Sequence, residues 1–177
     1  MPYAAPTRAH PSPLVAILWG GLLCGVLDIT AAWIVYGAMG LRPVPLLQGI
    51  ASGLLGHRAY SGGLSAAIFG FILEFVISTG AAAVYIFASC FLSFLVRRPA
   101  LAGPLYGVIV YWFMQLVVLP LSRYAHHRFS FAVTLTGMVI HAICVGPPIA
   151  FAARHFSQKA HNNMRQPTRS QEPTAEG

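Results

Sequence analysis

GGLSAAIFGFILEFVISTGAAAVYIFASCFLSFL, residues 62–95, is an apolar run broken by one charged residue, Glu74. Drawn out as a single helix at about 1.5 Å per residue it would reach about 51 Å, well beyond a hydrocarbon core of about 30 Å. It reads as a membrane-crossing helix whose end protrudes after about Ser89, because a separate remainder would be too short to span. Ser78-Thr79-Gly80 is the alternative place for a break. Three further runs are long and apolar enough to cross, at about residues 14–39, 100–121 and 131–153. The first is too long for a signal-peptide core and lacks a clear cleavage box, so it reads as a retained span.

Composition agrees. Of the 177 residues, 56% are hydrophobic and 8% charged, against about 25% charged in a soluble domain, so a water-facing surface cannot be assembled. The expected class is all-α, a four-transmembrane-helix bundle. The net charge of +7 comes from Lys and Arg scattered through ends and links. No basic stripe interleaved with aromatics is present, so nucleic acid is not an expected partner. Cys24, Cys90 and Cys144 all fall inside apolar runs with no CxxC spacing, which argues against a disulfide framework.

Between the first two spans lies VPLLQGIASGLLG, residues 44–56, apolar and too short to cross. Leu46, Leu47, Ile50 and Leu54 would share one face, which suits an interfacial or re-entrant half-helix; a hydrophobic loop packed on the bundle is the alternative. Residues 1–13 read as a flexible tail, 14–156 as the membrane domain, and 157–177 as a polar, disordered tail. With four spans, Arg8, Arg97, Arg98, Arg154, Lys159, Arg165 and Arg169 share one side, and Arg42, Arg58, Arg123 and Arg128 the other. The positive-inside rule then places both termini in the cytoplasm.

Asp28, Glu74 and His141 are the only acidic or imidazole side chains inside the spans, each near the middle of its own run. Such groups cost about 2.5–3.5 kcal/mol each at membrane depth and mark functional sites by default. Helical spacing gathers them. Gly21, Gly25 and Asp28 form one stripe, Gly70 and Glu74 a second, Gly137, His141 and Cys144 a third. The third span adds Gly103, Gly107, Tyr111 and Gln115. The small residues let backbones approach, so the stripes are expected to face one another around an interior holding Asp28, Glu74, Gln115 and His141. Two carboxylates and a neutral imidazole cannot coexist comfortably at low dielectric, so a shared proton, or a protonated His141 beside one carboxylate, is expected there.

The spans also suggest two matching hairpins. Gly70-Phe71-Ile72-Leu73-Glu74 aligns with Gly137-Met138-Val139-Ile140-His141, and Gly21 and Gly25 align with Gly103 and Gly107. The half-helix would then be an insertion in the first hairpin of a parallel repeat.

A metal site would have to draw on Cys24, Asp28, His141 and Cys144, at spacings that let each pair point one way, yet no metal motif links them. No cofactor is expected. The pair His126-His127 between the last two spans reads as a basic membrane-face loop or a pH sensor, and Tyr106, Trp112 and Tyr124 as packing or interface anchors. No G-x-S-x-G, H-E-x-x-H, P-loop or dinucleotide fingerprint occurs, which argues against an enzyme.

The runs ALAGPLYGVIVYWFMQLVVLPLSRY (100–124) and EFVISTGAAAVYIFASCF (74–91), followed by a His-bearing last helix, resemble small bacterial inner-membrane proteins of the YagU-like type, over about residues 62–150. The resemblance implies a multi-pass fold in a bacterial plasma membrane and carries over no catalytic residue. Two functions fit these observations. One is a structural or accessory membrane protein, working with a membrane partner, whose polar centre fixes helix packing. The other is a small proton-linked transporter or channel subunit, which with only four spans implies a homo-oligomer.

Overall fold

The computed structural model describes residues 13–123 and 130–165, with side chains described to residue 158. The chain is an all-α bundle. Its helices are α1 (Pro13–Ala38), α2 (Pro43–Leu55), α3 (Gly63–Phe91), α4 (Ser93–Arg97), α5 (Pro99–Leu121) and α6 (Phe131–Gln158, continuing as helix to Arg165). Of these, α1, α3, α5 and α6 are long and apolar enough to cross a membrane. Three helices, α1, α2 and α5, open on a proline, where the missing N–H would have had no helical partner anyway.

α3 runs unbroken through Ser78-Thr79-Gly80. The interruption comes at Leu92, which leaves helical geometry (φ −114°, ψ 86°) before the short α4. The projecting end expected after Ser89 is therefore bent back: the Tyr85 hydroxyl donates to the Leu95 carbonyl at 2.9 Å and ties α4 to α3. At the other end of the chain, helix persists past Ser157 to Arg165, into the tail expected to lack structure. Residues 1–12, most of the expected N-terminal tail, and 166–177 lie outside the described residues, as do Tyr124, His126, His127 and Arg128.

The half-helix is α2, linked to α3 by a 3₁₀ turn, Gly56–Ser61. Gly56 (φ +61°) and Gly63 (φ +57°) bracket that turn in the left-handed region, which only glycine enters without a Cβ penalty. α2 packs against α3, and Leu47 joins Ile29 of α1 and Ala67 of α3 in a small apolar core. The buried face differs from the expected one. Leu47, Gln48, Ala51 and Ser52 point inward, whereas Leu54 is 55% exposed. Polar side chains win the inner positions because each finds a carbonyl: Gln48 Nε2 donates to Gly63 O at 2.9 Å and Ser52 Oγ to Gly49 O at 2.6 Å.

α1 and α6 are neighbours, with α3 packed on α1 and α5 on α6. The glycine stripes are where these helices touch. A Cβ on Gly21 would meet Thr79 Cα at 2.6 Å, and one on Gly25 would meet the Phe75 ring at 3.0 Å. In the second hairpin a Cβ on Gly103 would meet Pro147 Cα at 2.8 Å and the Gly146 carbonyl carbon at 3.2 Å. One on Gly107 would strike the His141 carbonyl and sit 3.0 Å from Ala142 Cα. The contacts follow the pairing of the proposed repeat, since Phe75 stands to Glu74 as Ala142 does to His141. Gly70 lies against the Leu47 carbonyl and Gly137 against the Tyr111 ring, so all six glycines sit at helix contacts.

One feature of α5 and α6 has no counterpart in α1 and α3. Each contains a turn of π-helix, Met114–Val118 in α5 and His141–Val145 in α6, and a proline stands two residues beyond each, Pro120 and Pro147. Proline offers no N–H to the preceding turn, so the ladder there is already broken and a wider turn forms at little extra cost.

These contacts set a sharp contrast. Gly107→Ala is expected to lower stability by about 1–3 kcal/mol, because backbone must move to admit the methyl group. Gly80, with nothing within 4 Å of its would-be Cβ, tests the same substitution without the contact. Gly80→Ala is expected to be neutral or up to about 1 kcal/mol stabilising through helix propensity. Thermal unfolding of both variants in mild detergent checks the difference.

Candidate intramembrane polar site

Asp28 projects from α1, Glu74 from α3 and His141 from α6, and the bundle brings the three together. The Glu74 carboxyl faces that of Asp28 closely enough for a side-chain hydrogen bond between them. Asp28 Oδ1 lies 3.9 Å from His141 Nδ1, an ion-pair distance but too long for a hydrogen bond. The His141 ring is anchored to its own helix, Nδ1 standing 2.9 Å from the Gly137 carbonyl. A carbonyl only accepts, so Nδ1 carries the hydrogen in that contact and Nε2 is the nitrogen left to take up a proton. Asp28 Oδ1 is shielded from solvent and has no hydrogen-bond partner.

Placement explains the geometry. His141 opens the π turn of α6, and Gly107 admits the His141 carbonyl against α5. Gly25, one turn before Asp28, admits Phe75 and Ser78 and so draws the Asp28 and Glu74 backbones together. The side chains of Asp28 and His141 keep 15% and 22% of their exposure, so the cluster retains a narrow open face.

Gln115 stands one step away. Its Nε2 donates to the Tyr111 hydroxyl at 2.8 Å, and the Tyr111 ring meets the His141 ring edge-on at 5.3 Å. It meets the cluster through Tyr111 because α5 packs chiefly on α6. Tyr111 was visible on the same stripe, but spacing did not show that it stands between Gln115 and His141, its hydroxyl on one and its ring on the other.

The candidate metal set is not assembled. Among the described residues no three His, Cys, Asp or Glu side chains converge to hold an ion. Cys24 is instead packed in the apolar core with Ala82, Tyr85, Val145 and Ile149, and Cys144 is half-buried. Trp112 stacks edge-on with Tyr111. Tyr106 is a cross-helix tie that spacing could not reveal: its hydroxyl donates to the Ala81 carbonyl at 2.7 Å, joining α5 to α3.

Comparison with models of known families, with curated proteins and with solved structures finds no match to this chain.

The unpaired Asp28 oxygen makes a directional prediction. A shielded acceptor without a donor costs about 1–3 kcal/mol. Asp28→Asn removes a charge and presents an N–H₂ donor to Glu74, so thermal stability should rise or hold. A polar lock would behave in the opposite way, and a loss of about 1 kcal/mol in the melting curve of Asp28→Asn would contradict the assignment.

Proposed function

We propose that this chain is a multi-pass protein of a bacterial inner membrane with cytoplasmic termini, and that Asp28, Glu74 and His141 form its proton-binding site, the working centre of a small proton-linked transporter or channel subunit. The observation that carries the reading is Asp28 Oδ1, shielded and unpartnered between a carboxyl and an imidazole. A cluster built only to fasten helices would satisfy its acceptors, since a half-satisfied buried network is worse than an apolar contact. The fastening is supplied elsewhere, by the six glycines and by Tyr85, Tyr106 and Gln48.

The chemistry follows from the donor inventory. A hydrogen bond between two carboxyl groups needs one proton, held here on Glu74 or Asp28. When that proton resides on the His141 ring instead, the imidazolium stands, through Nδ1, at ion-pair distance from the Asp28 carboxylate, and its own charge offsets one of the two carboxylates now facing each other. One proton moves between two resting places inside the membrane, with no further reactant. The four spans of one chain supply one such site, so a continuous path implies a homo-oligomer.

The structural or accessory reading has its own support in the chain of contacts from Gln115 through Tyr111 to His141, which joins α5 to the cluster. Proteoliposomes with an internal pH dye separate the two. Under the proton-site reading, an imposed pH gradient drives a proton flux that falls at least about tenfold in Glu74→Gln, with melting temperature held near that of the unaltered chain. Flux that is absent, or identical in Asp28→Asn, Glu74→Gln and His141→Gln, would refute it.

A further inference from the structure

A shallow, open groove lies between the C-terminal turn of α2 and the last turns of α5. Its walls are apolar and face outward: Leu54 and Phe113 are each 55% exposed, Val117 38% and Leu121 83%. On a membrane-crossing helix such side chains meet lipid tails. At one end stands Arg123, exposed, its backbone N–H donating to the Gly53 carbonyl at 2.9 Å. A Cβ on Gly56 would lie 3.4 Å from Arg123 Cβ, which brings the 3₁₀ turn bearing exposed Arg58 beside it.

Among the described residues no carboxylate pairs with either arginine. The four acidic residues of the chain are Asp28 and Glu74, inside the spans, and Glu172 and Glu176, in the C-terminal tail. Arg123 at the edge of the groove, with Arg58 on the adjoining turn, sets positive charge beside an apolar floor, a combination that matches an anionic headgroup carrying an acyl chain. We propose that this groove binds an anionic phospholipid, its acyl chain lying along Leu54, Phe113, Val117 and Leu121 and its phosphate paired with Arg123 and Arg58. Arginine suits the phosphate because its planar fork can donate two hydrogen bonds at once. The inference needs only that the four long helices cross a bilayer; it is independent of the proton site, so either can fail without the other.

Native mass spectrometry of the purified full chain in detergent, titrated with dioleoyl phosphatidylglycerol or dioleoyl phosphatidylcholine, tests it. An arginine beside an anionic lipid is worth about fivefold in retention. The unaltered chain should hold phosphatidylglycerol at least about fivefold over phosphatidylcholine, and Arg123→Gln and Arg58→Gln should each erode that preference. Arg123→Lys, which keeps the charge and guards against a mere folding defect, should keep most of it. Val117→Trp should weaken retention of both lipids by filling the apolar floor, and glycerol 3-phosphate at millimolar concentration should not compete, since it lacks the acyl chain. Equal retention of the two lipids by the unaltered chain, or a preference untouched by both Arg→Gln substitutions, would overturn the proposal. Full competition by glycerol 3-phosphate would overturn the lipid assignment in favour of a free phosphate.

Discussion

Bare backbone meeting bare backbone is the contact on which this bundle depends. Gly70 lies on the Leu47 carbonyl, Gly107 on the His141 carbonyl and Gly146 on the Gly103 carbonyl, and a single methyl group at any of them would collide with main chain. Between apolar helices in lipid the hydrophobic effect supplies no attraction, because tails are as apolar as leucine. Close van der Waals contact has to hold the helices instead, and glycine is what allows it. The polar side chains of the interior come within reach of one another as a consequence: Asp28 is one turn from Gly25, Glu74 one turn from Gly70, and His141 one turn from Gly137.

This order of causes bears on what the polar cluster is for. Hydrogen bonds between membrane helices average about 0.6 kcal/mol, and those that tie this bundle use hydroxyl and amide groups on carbonyls: Tyr85 on Leu95, Tyr106 on Ala81, Gln48 on Gly63. They are neutral, paired and placed away from the three ionisable residues. Asp28, Glu74 and His141 are the costly groups, and one of their oxygens, Asp28 Oδ1, is left without a hydrogen-bond donor. The hydrogen bonds that join helices thus use residues other than the three ionisable ones, as the proposed proton site requires.

Sequence made the spans and the small-residue stripes readable for a simple reason: twenty apolar residues and a period of 3.6 are local properties, visible without knowing any neighbour. Asp28, Glu74 and His141 could be brought together on that basis. Gln115 could not be placed correctly, because whether it meets His141 directly or through Tyr111 depends on which helices are adjacent, and periodicity within α5 is silent on that. The inward turn of Gln48 and Ser52 was hidden similarly; hydrophobicity favours Leu54, and only the carbonyls waiting at Gly63 and Gly49 reverse the choice. The bend at Leu92 rests on a bond between Tyr85 and Leu95, a tertiary contact with no local signature. The π turns had a signal in Pro120 and Pro147, which withhold an N–H from the turn before them, though proline alone also permits a kink or an end.

The two hairpins are alike in their glycine contacts and unlike in their ionisable residue, carboxyl in one and imidazole in the other. If they descend from one unit, the difference supplies a donor-acceptor pair of two chemistries across α3, α1 and α6, which a symmetric pair of carboxyls would not. The central claim is that this cluster holds an exchangeable proton. Infrared difference spectroscopy of the full chain in lipid, recorded across a pH titration, tests it most directly. The account predicts that the wild-type spectrum minus that of Glu74→Gln, and minus that of Asp28→Asn, each contains a protonated-carboxyl C=O band that appears and disappears with pH, beyond the bands of the tail carboxyls Glu172 and Glu176 common to all three. Difference spectra with no titrating carboxyl band for either substitution would contradict it.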